Sequence, residues 1–274
     1  MENVSGRVAA ITGGASGIGL GFARVFGEAG MKLMLGDIEE KALASAAAEL
    51  TASGFEVGTF VVDVTDAQAV DAFADATYQN FGGAHLVCNN AGVVQRHDAW
   101  GSLDDWKWVI DVDLWGVIHG VHSFVGRMRE AGDEGHIVNT ASTAGLLGFP
   151  GIASYVAAKH AVVGLSQSMF HELAAEKSPI GVSVLCPGIV DTNINSSHRN
   201  RPGTAEVQPA EIEGAKFTGW QEALTPEAVA ELVLNAVKTR QFWVLPHEHY
   251  GHQAIENAQG RVENADPVLP MVKR

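Results

Sequence analysis

Thr12-Gly13-Gly14-Ala15-Ser16-Gly17-Ile18-Gly19 follows directly on the apolar run Val8–Thr12 and opens a helical pattern from Ile18 to Glu28. Glycines remove the Cβ atoms that would block a tight turn and the close approach of a pyrophosphate. The helix start adds free N–H groups and the positive end of a dipole. A bare glycine pattern carries little, but strand, turn and helix in that order read as a dinucleotide-binding turn. Gly13, Ser16, Gly17, Ile18 and Gly19 are therefore expected at the phosphates.

Outward from this turn, short apolar, β-branched runs alternate with longer helical patterns, as a parallel sheet covered on both faces requires. The predicted strands are Val8–Thr12, Lys32–Gly36, Glu56–Val62, His85–Asn89, His136–Ala141, Val182–Cys186 and Phe242–Leu245. Predicted helices lie near Ile18–Glu28, Glu39–Ser53, Ala67–Asn80, Asp104–Ala131, Ser154–Lys177 and Pro226–Thr239. Right-handed crossovers then give a doubly wound α/β fold with three α/β/α layers, one Rossmann-type domain over residues 1–274. The stretch Thr192–Leu224 turns polar and Gly/Pro-bearing without a convincing strand, the signature of a substrate lid within that domain.

Composition narrows the function classes. Eighteen basic against 32 acidic residues give a net charge of −14, which repels phosphate backbones and anionic lipid. Nucleic-acid and membrane-surface roles are not expected; a small-molecule substrate is. The N-terminus has no secretory pattern, and no apolar run approaches the ~18 residues of a membrane span. Only Cys88 and Cys186 are present, each in an apolar run, so a disulfide framework is not expected and a cytoplasmic setting is the simplest.

Asp37 ends the second predicted strand, 18 residues after Gly19. A carboxylate there can accept both ribose hydroxyls of an adenosine and repels a 2′-phosphate. No Arg or Lys lies in Gly13–Gly19 or in Leu33–Glu40 to offer a phosphate partner, so NAD is favoured over NADP. Asp37 could also cap the helix that begins near Glu39.

Tyr155 and Lys159 stand four residues apart, with Ser142 thirteen residues before the tyrosine. That spacing puts phenol and ammonium on one helical face, where an adjacent cation favours the phenolate and lowers its pKa from about 10. The pair reads as a tuned acid/base, although a solvated helix face would carry the same letters.

Together these motifs resemble the short-chain dehydrogenase/reductase family in its compact form. The turn carries Gly13, Gly17 and Gly19; Asp63-Val64 follows the third strand, Asn89-Asn90-Ala91-Gly92 the fourth, and Pro187-Gly188-Ile189-Val190-Asp191-Thr192 the sixth. The resemblance implies that Asp63 binds the adenine amino group and Val64 packs its ring. Asn89, Ala91 and Gly92 would shape the central sheet and admit the cofactor, Ile189 and Thr192 would sit at the nicotinamide carboxamide, and Asn90, Pro187 and Gly188 would join them in binding the cofactor. By the same resemblance Tyr155 exchanges a proton with the substrate oxygen, Ser142 hydrogen-bonds that oxygen, and Lys159 grips the nicotinamide ribose. A homodimer or homotetramer is also implied. One position departs from the family pattern: Asp113 stands where an Asn completes a proton relay to the lysine, so side-chain donation there requires a protonated carboxyl.

The substrate wall is expected from Val93, Val94, Leu146, Leu147, Phe149 and Ile152, with Ile194, Phe217 and Trp220 from the lid. Such walls suit a hydrophobic or aromatic secondary alcohol or its ketone. His247, His249 and His252 read as a loop of partly exposed histidines rather than a metal site. The expected activity is NAD-dependent interconversion of a secondary alcohol and its ketone. The alternatives are an NADPH-linked ketone reductase and a catalytically silent dinucleotide sensor.

Overall fold

The computed structural model describes residues 1–203 and 223–270. Its centre is a seven-stranded parallel sheet of β1 (Val8–Thr12), β2 (Lys32–Asp37), β3 (Val57–Val61), β4 (Leu86–Asn89), β5 (Gly135–Thr140), β6 (Ile180–Leu185) and β7 (Trp243–Val244). The strand order is β3-β2-β1-β4-β5-β6-β7. Every residue of β1, β4 and β5 is buried, so these strands show no alternating polar pattern, and the polar side chains Asn89, His136 and Asn139 are hydrogen-bonded inside.

Helices α1 (Gly17–Glu28), α2 (Glu40–Ala52), α3 (Ala67–Phe81), α4 (Leu103–Ile110), α5 (Gly116–Ala131), α6 (Ala153–Ala175), α7 (Pro226–Thr239) and α8 (Glu248–Val262) connect and follow the strands. One core layer packs Phe22 and Phe26 of α1 and Val229, Val233 and Val237 of α7 against Leu33, Leu35 and Leu185 of the sheet. The opposite layer packs Phe73 of α3, Phe124 of α5 and Met169 and Leu173 of α6 against Met34, Val87 and Ile137. Local chemistry sets the helix starts. The Asp66 carboxylate accepts from the Gln68 N–H at 2.8 Å, and Thr225 caps α7 immediately before its first-turn proline.

Chain order reverses between β1 and β4: β1 pairs with β2 on one side and with β4 on the other. In a doubly wound sheet, a crevice opens at such a switch point beyond the carboxyl ends of the strands. The glycine turn, the residues after β4 and the start of α6 all face it.

Two predictions are corrected. The single helix expected over Asp104–Ala131 is α4, a π-helical turn at Asp111–Trp115, and α5. The Gly116 N–H bonds back to the Asp111 carbonyl five residues earlier, and this wider turn holds Asp113 with no exposed surface. The loop expected at His247–His252 instead runs into helix α8. Its residues are polar on almost every side and only Tyr250 is buried, so the sequence has no apolar stripe to announce it.

Candidate active site

The crevice is a cavity of about 390 Å³. It runs from Asp37 and Ile38, along the glycine turn, to Ser142, Phe149, Ile152 and Tyr155. At the phosphate turn, Gly13 has φ +67° and Gly17 φ +53°, conformations that L side chains rarely adopt. A Cβ on Gly19 would stand 2.0 Å from the Gly13 carbonyl oxygen. The turn thus requires glycine at 13, 17 and 19 and opens onto the first residues of α1. These features fit a pyrophosphate and leave it the N–H groups of a helix start.

Asp37 closes one end. Its carboxylate accepts from the Ala15 N–H and the Glu39 N–H, each at 3.0 Å. Burial pushes its pKa up, and those two N–H groups oppose the rise. The capping role considered for Asp37 is not what forms, because Glu39 occupies the cap position of α2; Asp37 instead ties the β2–α2 connection to the glycine turn. Asp63 and Val64 line the same end, with the Asp63 carboxylate accepting from Thr65 N–H and hydroxyl at 2.9 and 2.8 Å.

The segment after β4 is fastened to the glycine turn through Thr12, a contact that sequence reasoning missed. The Thr12 hydroxyl accepts from the Asn90 and Ala91 N–H groups at 2.9 and 3.1 Å, and Asn90 Nδ2 donates back to the Thr12 carbonyl at 3.1 Å. Asn90, Ala91 and Gly92 all face the cavity. Gly92 leaves space beside Lys159: a Cβ there would lie 3.4 Å from Nζ.

The other end gathers the titratable groups. Ser142 follows β5; its hydroxyl accepts from the Ala144 N–H at 3.1 Å and donates to the Pro187 carbonyl at 3.4 Å, and it stands near enough to the Tyr155 phenol to favour the phenolate. Tyr155 sits in the first turn of α6 and Lys159 one turn further on. Lys159 is buried; Nζ donates to the Thr140 carbonyl at 3.1 Å and lies 5.4 Å from the Tyr155 ring centroid. Nζ also stands 3.1 Å from Asp113 Oδ2, while Asp113 Oδ1 accepts from the Val93 N–H at 2.8 Å.

Charges in this group act on one another. Burial raises the Tyr155 pKa, and the Asp113 charge adds to the rise, against the opposing Lys159 ammonium and Ser142 hydrogen bond. The lowering expected from Lys159 is present but outweighed. For Lys159, burial works against the charged form, but Asp113 and Tyr155 outweigh it and its pKa is raised. The Asp113 carboxyl is itself pushed up by burial, against Lys159 and the Val93 N–H.

Pro187, Gly188, Ile189 and Thr192 line the cavity beyond β6. The Gly188 N–H donates to His247 Nδ1 at 3.1 Å, so the residue before α8 holds this loop in place. Beyond it a 3₁₀ segment, Ile194–Asn200, crosses the mouth. Ser197 exchanges hydrogen bonds with the Val94 N–H and carbonyl at 2.9 and 3.1 Å. Arg199 and Asn200 reach Glu39 Oε1 at the Asp37 end, at 2.6 Å from Nη2 and 3.0 Å from Nδ2.

Of the expected substrate wall, Val93, Val94, Phe149, Ile152 and Ile194 line the cavity. Leu146 and Leu147 do not: Leu147 is buried, and Leu146 packs against a cluster containing Val162 and Val184. Phe217 and Trp220 lie outside the described residues. Trp108 and Tyr250 complete the wall, and Tyr250 meets Phe149 edge to face at 6.3 Å. Trp108 lay in a helix that offered several tryptophans without a sign of which turned inward, and Tyr250 lay in a stretch read as a loop.

Residues 7–203 match the family described as short chain dehydrogenase. The chain belongs to the short-chain dehydrogenase family. Among its relatives, the C alpha-dehydrogenase of Sphingobium sp. strain SYK-6 is 34% identical, over 98% of this chain and 89% of the relative. The 1-deoxy-11-beta-hydroxypentalenate dehydrogenase of Streptomyces avermitilis is 38% identical, over 76% of this chain and 78% of the relative. The solved structure of a short chain dehydrogenase/reductase from Burkholderia phymatum in complex with NAD superposes with a TM-score of 0.90. That pair is 37% identical, with 99% of each chain covered. The family is one of oxidoreductases, and its Rossmann fold binds a nicotinamide dinucleotide, as the doubly wound reading of the sequence anticipated.

Proposed function

We propose that this protein is an NAD-dependent dehydrogenase that interconverts a hydrophobic or aromatic secondary alcohol and its ketone. The observation that carries the reading is one cavity with the Asp37 carboxylate at one end and Ser142, Tyr155 and Lys159 at the other. Asp37 supports NAD over NADP, because a 2′-phosphate beside it would meet a second negative charge. Gly13, Ser16, Gly17, Ile18 and Gly19 would hold the pyrophosphate, Asp63 and Val64 the adenine, and Asn90, Ala91, Gly92, Pro187, Gly188, Ile189 and Thr192 the remainder.

NAD, when bound, supplies the acceptor for the hydride. The chain's own residues manage the oxygen. In alcohol oxidation the substrate hydroxyl sits between the Ser142 hydroxyl and the Tyr155 oxygen; Tyr155, having first released its own proton, takes the substrate's as a phenolate while Ser142 donates a hydrogen bond to the substrate oxygen. In the reverse direction the Tyr155 hydroxyl returns the proton to an oxygen that is gaining negative charge. Two aimed donors and the buried Lys159 ammonium stabilise that charge. Trp108, Phe149, Ile152 and Tyr250 would hold an apolar or aromatic substrate, with Ile194 beside them in one Rossmann-type domain; residues 204–222 of the expected lid lie outside the described residues. Two buried free cysteines support a reducing, cytoplasmic setting.

The test is reduction of NAD⁺ by a panel of aryl and aliphatic secondary alcohols. Tyr155→Phe is expected to lower kcat at least ~10²-fold with little change in NAD affinity. Full activity in that variant would remove the proton-transfer assignment. Tighter binding of NADPH than NADH would remove the reading of Asp37.

A further inference from the structure

Lys159 has a partner that the ordinary reading of a Ser-Tyr-Lys site does not give it. The Asp113 carboxylate has no exposed surface and lies 3.1 Å from Nζ, and its second oxygen is fixed by the Val93 N–H. A carboxylate is acceptor-only, so unlike an amide it brings a full negative charge to the pair. In surroundings this dry, that charge acts on Tyr155 as well as on Lys159.

We propose that Asp113 is the internal counter-ion of Lys159 and sets the pH at which Tyr155 gives up its proton, a positioning role that rests on the assignment of Tyr155 as acid/base. With Asp113 ionised, Lys159 protonated and Tyr155 neutral, the cluster carries no net charge, and loss of one proton leaves it negative. With a neutral residue at 113 the same loss takes the cluster from +1 to zero. The first proton therefore leaves at lower pH, whichever group releases it.

The other groups nearby do not offset this. Cys186, beyond β6, has its thiol pushed up to about 12 by burial and stays neutral. Ser142 contributes a hydrogen bond without charge. Asp111, on the same π-helical turn, is paired with Lys107. Burial and Asp113 together also hold the Tyr155 pKa above its ordinary value.

The experiment is an ultraviolet titration of the phenolate in the substrate-free protein. The chain has only three tyrosines, so subtracting a Tyr155→Phe titration isolates Tyr155. In the wild type, the Tyr155 signal is expected to rise above the ordinary tyrosine value of about 10. In Asp113→Asn it is expected about one pH unit or more lower, the size of shift that one neighbouring charge produces. The acidic limb of kcat/KM for alcohol oxidation should move by the same amount, a gain of about tenfold at a fixed pH on that limb. Should Asp113→Asn not fold, Asp113→Ser carries the same test, and a Tyr155 titration unmoved in a folded neutral variant would overturn the proposal. So would an Asp113→Asn protein that loses rate without moving either profile, since that marks a purely structural residue. Failure of every alcohol to react would count against the assigned reaction and leave the phenolate titration to judge Asp113 separately.

Discussion

At Gly19 a single added methyl group would stand 2.0 Å from a backbone oxygen, and nothing flexible can move aside. Gly19→Ala is therefore expected to abolish NAD binding in a calorimetric titration and to lower Tm, because the turn must open to admit it. Asp37→Ala should act differently. It removes charge without crowding, so NADP affinity should rise toward that of NAD while the fold is kept; an unchanged preference would show that the carboxylate does not select the cofactor. A third residue senses pH without any role in the site. His136 is buried on β5, where its Nε2 pairs with Ser183 Oγ at 2.7 Å and Ser183 donates to the Gln241 carbonyl at 2.6 Å. Ser183 has one proton and gives it to Gln241, so His136 donates from Nε2, and burial keeps the ring neutral. Burial pushes its pKa from 6.5 down to about 3. The unfolded chain then binds a proton below about pH 6.5 that the native protein refuses, and stability falls as pH drops from there toward 3. The slope contributed is at most about 1.4 kcal/mol per pH unit. Chemical denaturation at pH 7 and pH 5 should show this loss, and His136→Gln should flatten it.

Among the elements, the 3₁₀ segment Ile194–Asn200 and helix α8 do what their sequences did not announce. The 3₁₀ segment joins the two ends of the cleft: Ser197 holds the substrate side at Val94, and Arg199 and Asn200 hold Glu39 beside Asp37. Glu39→Gln weakens the charged part of that clasp and should speed NAD release severalfold in a stopped-flow displacement, with kcat for a slow substrate little changed. The Arg199–Glu39 pair is about one-third exposed on each side, so its effect on global stability should be small. Helix α8 puts Tyr250 against Phe149 and sets His247 against the Gly188 N–H. Tyr250→Ala should lower stability by about 3–5 kcal/mol, the cost of truncating a buried aromatic, and raise KM for aromatic more than for small aliphatic alcohols. Equal changes for both classes would show that Tyr250 only packs. The glycine turn and α6 were legible because each carries its chemistry in contiguous letters. The 3₁₀ segment and α8 were not, since their partners lie about 60 to 160 residues away and polar helices have no stripe to read.

For the molecule as a whole, the 28.9 kDa chain exposes Trp100, Leu103 and Trp115 around α4 and α5, and Phe170 and Trp243 at α6 and β7. Sedimentation is expected to give a dimer or tetramer; a monomer at micromolar concentration would remove that expectation. Among the described residues no helix is long and apolar enough to cross a membrane. The sequence by itself determined the parallel α/β class, the dinucleotide turn, Asp37 and the Ser142, Tyr155, Lys159 set. Those features depend on periodicity and on residue types at short spacings, which survive without coordinates. Only the tertiary structure decided that Trp108 and Tyr250 complete the wall and Leu147 does not. It also decided that a π-helical turn drives Asp113 into the interior against Lys159, and that the net effect on Tyr155 is upward. Each of these depends on what burial does to a charge or a ring. Burial is a property of many distant residues packed together, and no local spacing encodes it.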